Sequence, residues 1–388
     1  MRQAVFISLI AGVAWAQEFS HVGPNYTRAT NNETVNAPVT SHLRIITRGN
    51  VILRGTAAEK ISYKLVQRVK ARSDEEAHRL FGSAKAVILP PQAAPVTTLT
   101  VIPMSAVMVV NDLEVNVPKQ VILTIVETRS GDVQAYDIDG SVQALTQAGM
   151  IRCDRIHGGV NVRTGGGEIR LGKIGGTATC VSGGGSIFLD SVAGGARCET
   201  AGGEIGVKEA GGPLLLTNVS GNIEVDRAWS TVEAHTGEGV IDVNQAAGAV
   251  IADTRGGSIQ IGGAKGARCE TAAGAIRVKN ASGPLNVQTA MGSILTELLA
   301  GARLEDSSLV ASAGDITVLI PSKLPLSVMA RNDSGGNPRI QSDFAEIRVK
   351  TLGFSRPPVV AEGQINGGGP ILRINVVSGI IYLKKLKQ

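Results

Sequence analysis

Residues 167–207 read GEIRLGKIGGTATCVSGGGSIFLDSVAGGARCETAGGEIGV. Within this stretch Ile169, Ile187 and Ile205 recur every 18 residues, each with a glycine two positions earlier (Gly167, Gly185, Gly203). The pattern extends outward in both directions. The same apolar anchor recurs at Val133, Ile151, Ile223, Ile241, Ile259, Ile276, Ile294 and Ile316, preceded by Gly131, Gly149, Gly221, Gly239, Gly257, Gly274, Gly292 and Gly314. A second glycine column falls seven residues after the anchor, at Gly140, Gly158, Gly176, Gly194, Gly212, Gly248, Gly266 and Gly283, with Ser230 as its exception. Glycine permits the tight backbone of a turn, so each repeat is two short strands between two turns. Gly131, Gly149, Gly167, Gly185, Gly203, Gly221, Gly239 and Gly257 are assigned to structural turns.

Period-2 alternation sets the facing of each strand. In the first strand the anchor and the residue two further on are apolar, as in Ile169/Leu171, Ile187/Leu189 and Ile241/Val243. In the second strand the pairs are Val142/Ala144, Val160/Val162, Ala178/Cys180, Ala196/Cys198 and Leu214/Leu216, followed by a hydroxyl column at Thr146, Thr164, Ser182, Thr200, Thr236 and Thr254. One such repeat cannot bury its own apolar face, whereas a stack of them closes a continuous core. An 18-residue unit could also be a hairpin in a meander. In-register stacking explains identical columns better, because it sets like residues on like. The expected fold is all-β: a right-handed parallel β-helix, or β-solenoid, with 18-residue coils, the hand following from the crossover rule.

The ends of such a stack are open sheet edges and call for caps. Residues 17–125 read as a small β-rich N-terminal cap, 126–320 as the regular solenoid, and 321–388 as irregular C-terminal coils and a cap. In the N-terminal part, Arg48-Gly49-Asn50 between two apolar runs reads as a hairpin turn, and Ser73-Asp-Glu-Glu76 has the spacing of a capping box opening one short helix to about residues 81–84. Beyond Pro321, Ile365 reads as a further anchor, with Ile374, Val376 and Ser378 at its second strand and Ile381 opening the next coil.

Composition narrows the class. Of 388 residues 48 are Gly, aromatics are 3% and charged residues 18%. There is no Gly-X-Y period, which excludes collagen, and the apolar content of 43% argues against disorder. The net charge of +5 has no basic run and few aromatics to stack on bases, so nucleic acid is not an expected partner. Met1-Arg2-Gln3, an apolar run and Ala14-Trp15-Ala16 read as a secretory signal peptide spanning residues 1–16. The run is too short for a transmembrane helix, and no later segment offers one. The expected location is extracytoplasmic: cell surface, secreted or periplasmic.

Ser130-Gly-Asp-Val133, the repeated Gly-x-Ile-x-Val/Leu units, and Glu362-Gly-Gln-Ile-Asn-Gly-Gly-Gly369 before a closing Leu-Arg-Ile-Asn-Val-Val-Ser-Gly strand resemble the bacterial "putative adhesin" family of Gly-rich β-strand repeats. They are also similar to the head domains of autotransporter-adhesin-like proteins. The resemblance spans roughly residues 40–385 and is strongest from 126 to 320. It implies a right-handed β-helix, a surface or envelope role, and no catalytic motif.

The remaining chemistry is sparse. Cys180, Cys198 and Cys269 share one inward column and Cys153 faces inward from the other strand, so all four read as small core residues. Only Cys180 and Cys198 are spaced for a disulfide, and parallel side chains disfavour it. The Gly-rich runs lack the G-x-x-x-x-G-K-[ST] pattern of a phosphate loop. Glu168, Ser186, Glu204, Asn222 and Ser258 precede successive anchors without the recurring Asp of a calcium β-roll. No cofactor and no metal is expected. His157 and His235 show no Ser or Asp partner at a recognisable spacing. Asp154, Asp190, Lys208, Asp226 and Asn244 form an outward column whose plain reading is solvated surface. Arg152, Arg170, Phe188 and Arg197 face outward as a candidate binding patch. The expectation is an exported non-catalytic solenoid, an adhesin or envelope scaffold, with a surface glycan or protein as partner. The rival is a lyase or hydrolase on the same scaffold, which would need a cleft lined by acids. A third reading is a purely structural envelope protein.

Overall fold

The computed structural model describes residues 18–33, 42–82, 84–89, 96–103, 109–119, 121–334, 339–353 and 358–386. The signal sequence read at residues 1–16 lies outside them. The chain divides into two compact units, residues 1–168 with 173–175, and residues 169–172 with 176–388.

The first unit contains β1 (Glu18–Val22), β2 (Asn25–Glu33), β3 (His42–Thr47), β4 (Val51–Thr56), β5 (Ser62–Lys70), α1 (Asp74–Phe81), β6 (Ala84–Leu89), β7 (Val96–Pro103), β8 (Val110–Pro118), β9 (Leu123–Thr128), β10 (Val133–Ile138), β11 (Ser141–Thr146), β12 (Ile151–Ile156) and β13 (Val160–Thr164). One sheet runs in the order β1-β2-β5-β8-β4-β10-β12, antiparallel as far as β8 and parallel from there on. The other runs β6-β7-β3-β9-β11-β13, antiparallel only at β6/β7. Parallel coils therefore begin well inside the segment read as a cap, and the coil β3/β4 lies between two coils that follow it in sequence. The antiparallel strands β5 and β6 cover the outermost coil.

The hairpin expected at Arg48-Gly49-Asn50 is not one. Its flanking strands β3 and β4 belong to different sheets, and Val51 stands in register with the anchor Val133. The turn is a solenoid corner: a Cβ on Gly131 would overlap the carbonyl oxygen of Gly49. A Gly-Asn corner and a Gly-Asn hairpin look alike locally and differ only in what each strand pairs with. Ser73 caps α1, its hydroxyl accepting from the Glu76 N–H at 3.2 Å, while the Glu76 carboxylate accepts from the Arg72 N–H at 2.8 Å. The helix buries Ala77 and Phe81 against Tyr26, Val69, Ala71 and Val109.

The second unit is built of coils formed by β14 (Ile169–Ile174), β15 (Ala178–Ser182), β16 (Ile187–Val192), β17 (Ala196–Thr200), β18 (Ile205–Ala210), β19 (Leu214–Asn218), β20 (Ile223–Ala228), β21 (Val232–Thr236), β22 (Ile241–Ala246), β23 (Ala249–Thr254), β24 (Ile259–Ile261), β25 (Gly266–Ala273), β26 (Ile276–Ala281), β27 (Leu285–Met291), β28 (Ile294–Leu298), β29 (Ser307–Ala313) and β30 (Ile316–Pro321). It closes with β31 (Leu326–Asn332), β32 (Ile340–Ser342), β33 (Arg348–Thr351), β34 (Val359–Ile365), β35 (Ile371–Ser378) and β36 (Ile381–Leu386). Even-numbered strands from β16 to β30 pair in parallel in one sheet, which ends β30-β36-β32. Odd-numbered strands from β15 to β29 form the other, which ends β29-β35-β31-β34-β33. The chain is thus a β-solenoid. Ile365 does not open a coil. It ends β34, which runs antiparallel to β31, whereas Ile374, Val376 and Ile381 do resume the coil pattern.

Register sets Ile187 on Ile205, Ile223, Ile241 and Ile259 in turn, all with exposure of 0%. Each such side chain gains about 1.5–3 kcal/mol from leaving water. The corners close through the hydroxyl column. Thr146, Thr164, Thr236 and Thr254 each donate to the carbonyl of Gly131, Gly149, Gly221 and Gly239 respectively, at 2.8–3.0 Å. Each hydroxyl also accepts from the glycine N–H three residues on, as from Gly257 to Thr254 at 3.2 Å. The glycine corner and the buried hydroxyl form one hydrogen-bonded device, repeated along the stack.

Candidate functional site

The outward face of β16, β18, β20 and β22 carries an open groove of about 510 Å³. Register builds it. One column runs Phe188, Gly206, Glu224, Asp242, and beside it stand Asp190, Lys208, Asp226 and Asn244, with Glu204 at the entry to β18. Apart from Glu204 in the corner before β18, these side chains come from strand positions that alternate outward, so the solenoid holds them on rigid backbone rather than on loops.

Phe188 lies half-buried across Gly206. A Cβ there would approach the ring to 2.9 Å, so the missing side chain is what lets the ring lie flat. The Arg170 guanidinium sits 5.3 Å from the ring centroid. The Lys208 ammonium pairs with Asp190 at 2.6 Å, and the Asn244 amide donates to Asp226 at 3.0 Å. Glu204, Glu224 and Asp242 are crowded together. Partial burial, with the charge and hydrogen bond of Glu224, raises the Glu204 carboxyl above its usual range. Burial and the Glu224 charge raise Asp242. Such acids hold their protons more readily than free carboxylates do. The groove therefore offers an aromatic surface at one end and a row of oxygen-rich groups along its length.

The structure brings Arg170 and Phe188 together. Arg197 lies on β17, in the other sheet, where it pairs with Glu199. Arg152 is exposed on β12 of the first unit. The residues before the anchors serve the corners instead of a metal: Asp132 accepts from the Met150 N–H at 2.8 Å, Ser186 from Glu204 at 3.1 Å, and Asn222 from Val240 at 3.0 Å. Among the described residues no three His, Cys, Asp or Glu side chains cluster as metal ligands.

The histidines correct the sequence reading. His157 lies 2.9 Å from Asp139, and His235 lies 3.0 Å from Glu233 and 4.0 Å from Asp253. Asp139 and Asp253 are each one coil away, a distance of 18 residues that only stacking makes into a contact. All four cysteines are buried and none forms a disulfide, with Cys180 and Cys198 in register side by side. Burial pushes Cys153 and Cys269 up to about 12, which leaves them unreactive.

The acidic cluster was missed in the sequence because Glu204, Glu224 and Asp242 occupy the columns before and after the anchor. Setting those two columns side by side would have exposed it.

No known protein family matches the chain, and no curated protein sequence does either. Three solved structures are similar to it. The first, a "putative cell adhesion protein" from Clostridium sporogenes, is 9% identical over 96% of this chain and 99% of that one, with a TM-score of 0.21. A "putative adhesin" from Bacteroides fragilis is 14% identical over 71% of this chain and 100% of its own, TM-score 0.31. A "putative lipid binding protein" from Parabacteroides distasonis is 15% identical over 94% and 98%, TM-score 0.22. Likeness at these values carries no argument about what the chain binds.

Proposed function

We propose that the chain is an exported, non-catalytic binding module of the cell envelope, adhesin-like in role, which holds glycan chains in the Phe188–Asp242 groove. The observation that carries this is the combination of one aromatic ring with carboxyl and amide groups at coil spacing along an open face. Sugar C–H faces pack on aromatic rings, and hydroxyls donate to carboxylates. An open groove admits a polymer whose ends lie elsewhere. The solenoid supplies rigidity, so little ordering cost accompanies binding. The amino-terminal segment read as a signal sequence, Met1-Arg2-Gln3 with the apolar run to Ala14-Trp15-Ala16, supports the extracytoplasmic assignment.

The acid pair Glu204–Glu224 also favours a second reading, a glycan-cleaving enzyme. A carboxyl with raised proton affinity beside a second carboxyl is the kind of pair that acid–base cleavage uses. One experiment separates the two. The purified chain is applied to a glycan array and then incubated with each glycan it retains. The binding reading expects retention that Phe188→Ala weakens about tenfold or more, with no new chain ends. Release of reducing or unsaturated ends by the wild type, lost in Glu224→Gln, would transfer the assignment to the enzyme. A silent array would remove both.

A further inference from the structure

The outward face of β31, β33, β34 and β35 forms a second groove, of about 660 Å³. Cross-strand register arranges it in two rows. Arg373, Met329, Glu362 and Arg348 stand side by side in one; Asn375, Arg331, Val360 and Lys350 stand in the other. Arg373 lies on one flank and Arg348 and Lys350 on the other; between them Met329 and Val360, extended by Leu352, supply apolar surface beside Arg331 and Glu362, with Met329 and Leu352 exposed at 46% and 49%. Exposed large apolar side chains gathered inside a charged rim mark a binding surface rather than ordinary surface scatter.

The charge balance specifies the ligand. Arg331 pairs with Asp333 at 2.7 Å and Arg373 with Asp306 at 3.4 Å, both at the surface, where such pairs are weak. Among the described residues no carboxylate closes an ion pair with Arg348 or Lys350, although Glu362 stands opposite Arg348. Four cations against the single acid Glu362 leave the groove positive. It contains no aromatic ring on which a base could stack. We propose that this groove binds a single-chain anionic amphiphile from solution, its phosphate or carboxylate held by Arg348 and Lys350 and its chain lying on Met329, Val360 and Leu352. The site is separate from the glycan groove and does not depend on it.

The test is calorimetric titration of the full chain with dodecyl phosphate below its critical micelle concentration. Saturable binding is expected at one site per chain, weakened about tenfold or more in Arg348→Glu/Lys350→Glu and strengthened in Glu362→Gln. Inorganic phosphate and dodecyltrimethylammonium should give no comparable heat. Arg373→Glu, on the opposite flank, repeats the charge test if the double variant loses the wild-type circular dichroism. Absence of heat overturns the proposal. So does equal binding of the cationic detergent, or indifference to the charge reversals. Equal binding of inorganic phosphate would remove the role of the apolar floor.

Discussion

At the scale of single residues, the same side chain does opposite things at two places. Thr254 donates to the Gly239 carbonyl and accepts from the Gly257 N–H, so its buried hydroxyl is satisfied on both sides. Thr296 stands between Val278 and Val318 in a column otherwise apolar, and its buried hydroxyl finds no hydrogen-bond partner. Threonine and valine have nearly the same shape, so replacing either tests the hydrogen bond alone. Thr254→Val should lower stability by about 1–3 kcal/mol, because it strands a buried carbonyl. Thr296→Val should raise it by about 1 kcal/mol or more, because a desolvated hydroxyl is removed. Denaturant unfolding of both variants checks the pair, and a shift of the same sign in both would refute the corner device. The hydroxyl column itself was legible in the sequence, since parallel register repeats it every 18 residues. What it bonds was not, because the acceptor glycine lies 15 residues earlier and becomes a neighbour only on stacking.

At the scale of one sheet face, the groove acids set a pH dependence opposite to the usual one. Glu204 and Asp242 are both raised, burial being the first cause for each and the charge of Glu224 contributing to both. A carboxyl whose folded value lies above its unfolded value binds more protons in the folded state. Its effect is therefore least costly below the unfolded value, about pH 4, and stability falls as pH rises through the folded value. Glu224→Gln removes the shared repulsion. It should raise the melting temperature at pH 7 and leave it close to wild type at pH 3, below the ordinary carboxylate range, where Glu204 and Asp242 hold their protons. Thermal melts at the two pH values decide this, and an equal shift at both would mean that Glu224 acts through packing instead of charge. The outward placement of Arg170 and Phe188 followed from alternation alone. The cluster did not, because single columns read one at a time hide contacts between columns.

At the scale of the whole chain, both ends depart from sequential order. β3/β4 sits between β7/β8 and β9/β10, and β35/β36 sits between β29/β30 and β31/β32. The repeat was readable wherever each coil stacks on the one before it. Where strands pair out of chain order, local signals such as Gly49-Asn50 or Gly363-x-Ile365 name a turn or an anchor but not a partner. The exchange also has an energetic consequence. Among the described residues β32 pairs only with β36, and the antiparallel group β31-β34-β33 pairs with the stack only through β35. Removing residues 371–388 should therefore strip hydrogen-exchange protection from β31, β32, β33 and β34, though none of their residues is deleted. Removing residues 1–33 should be milder, because β1 and β2 lie outermost on their sheet and, among the described residues, pair with the coils through β5 alone. In that variant, protection of β3, β4, β8, β9 and β10 should persist. If β31–β34 stay protected without β35 and β36, intercalation is not what holds that end. If protection is lost as expected, the carboxyl-terminal region completes its fold only after the last strand is made, a long-range closure that slows folding in proportion to its sequence separation.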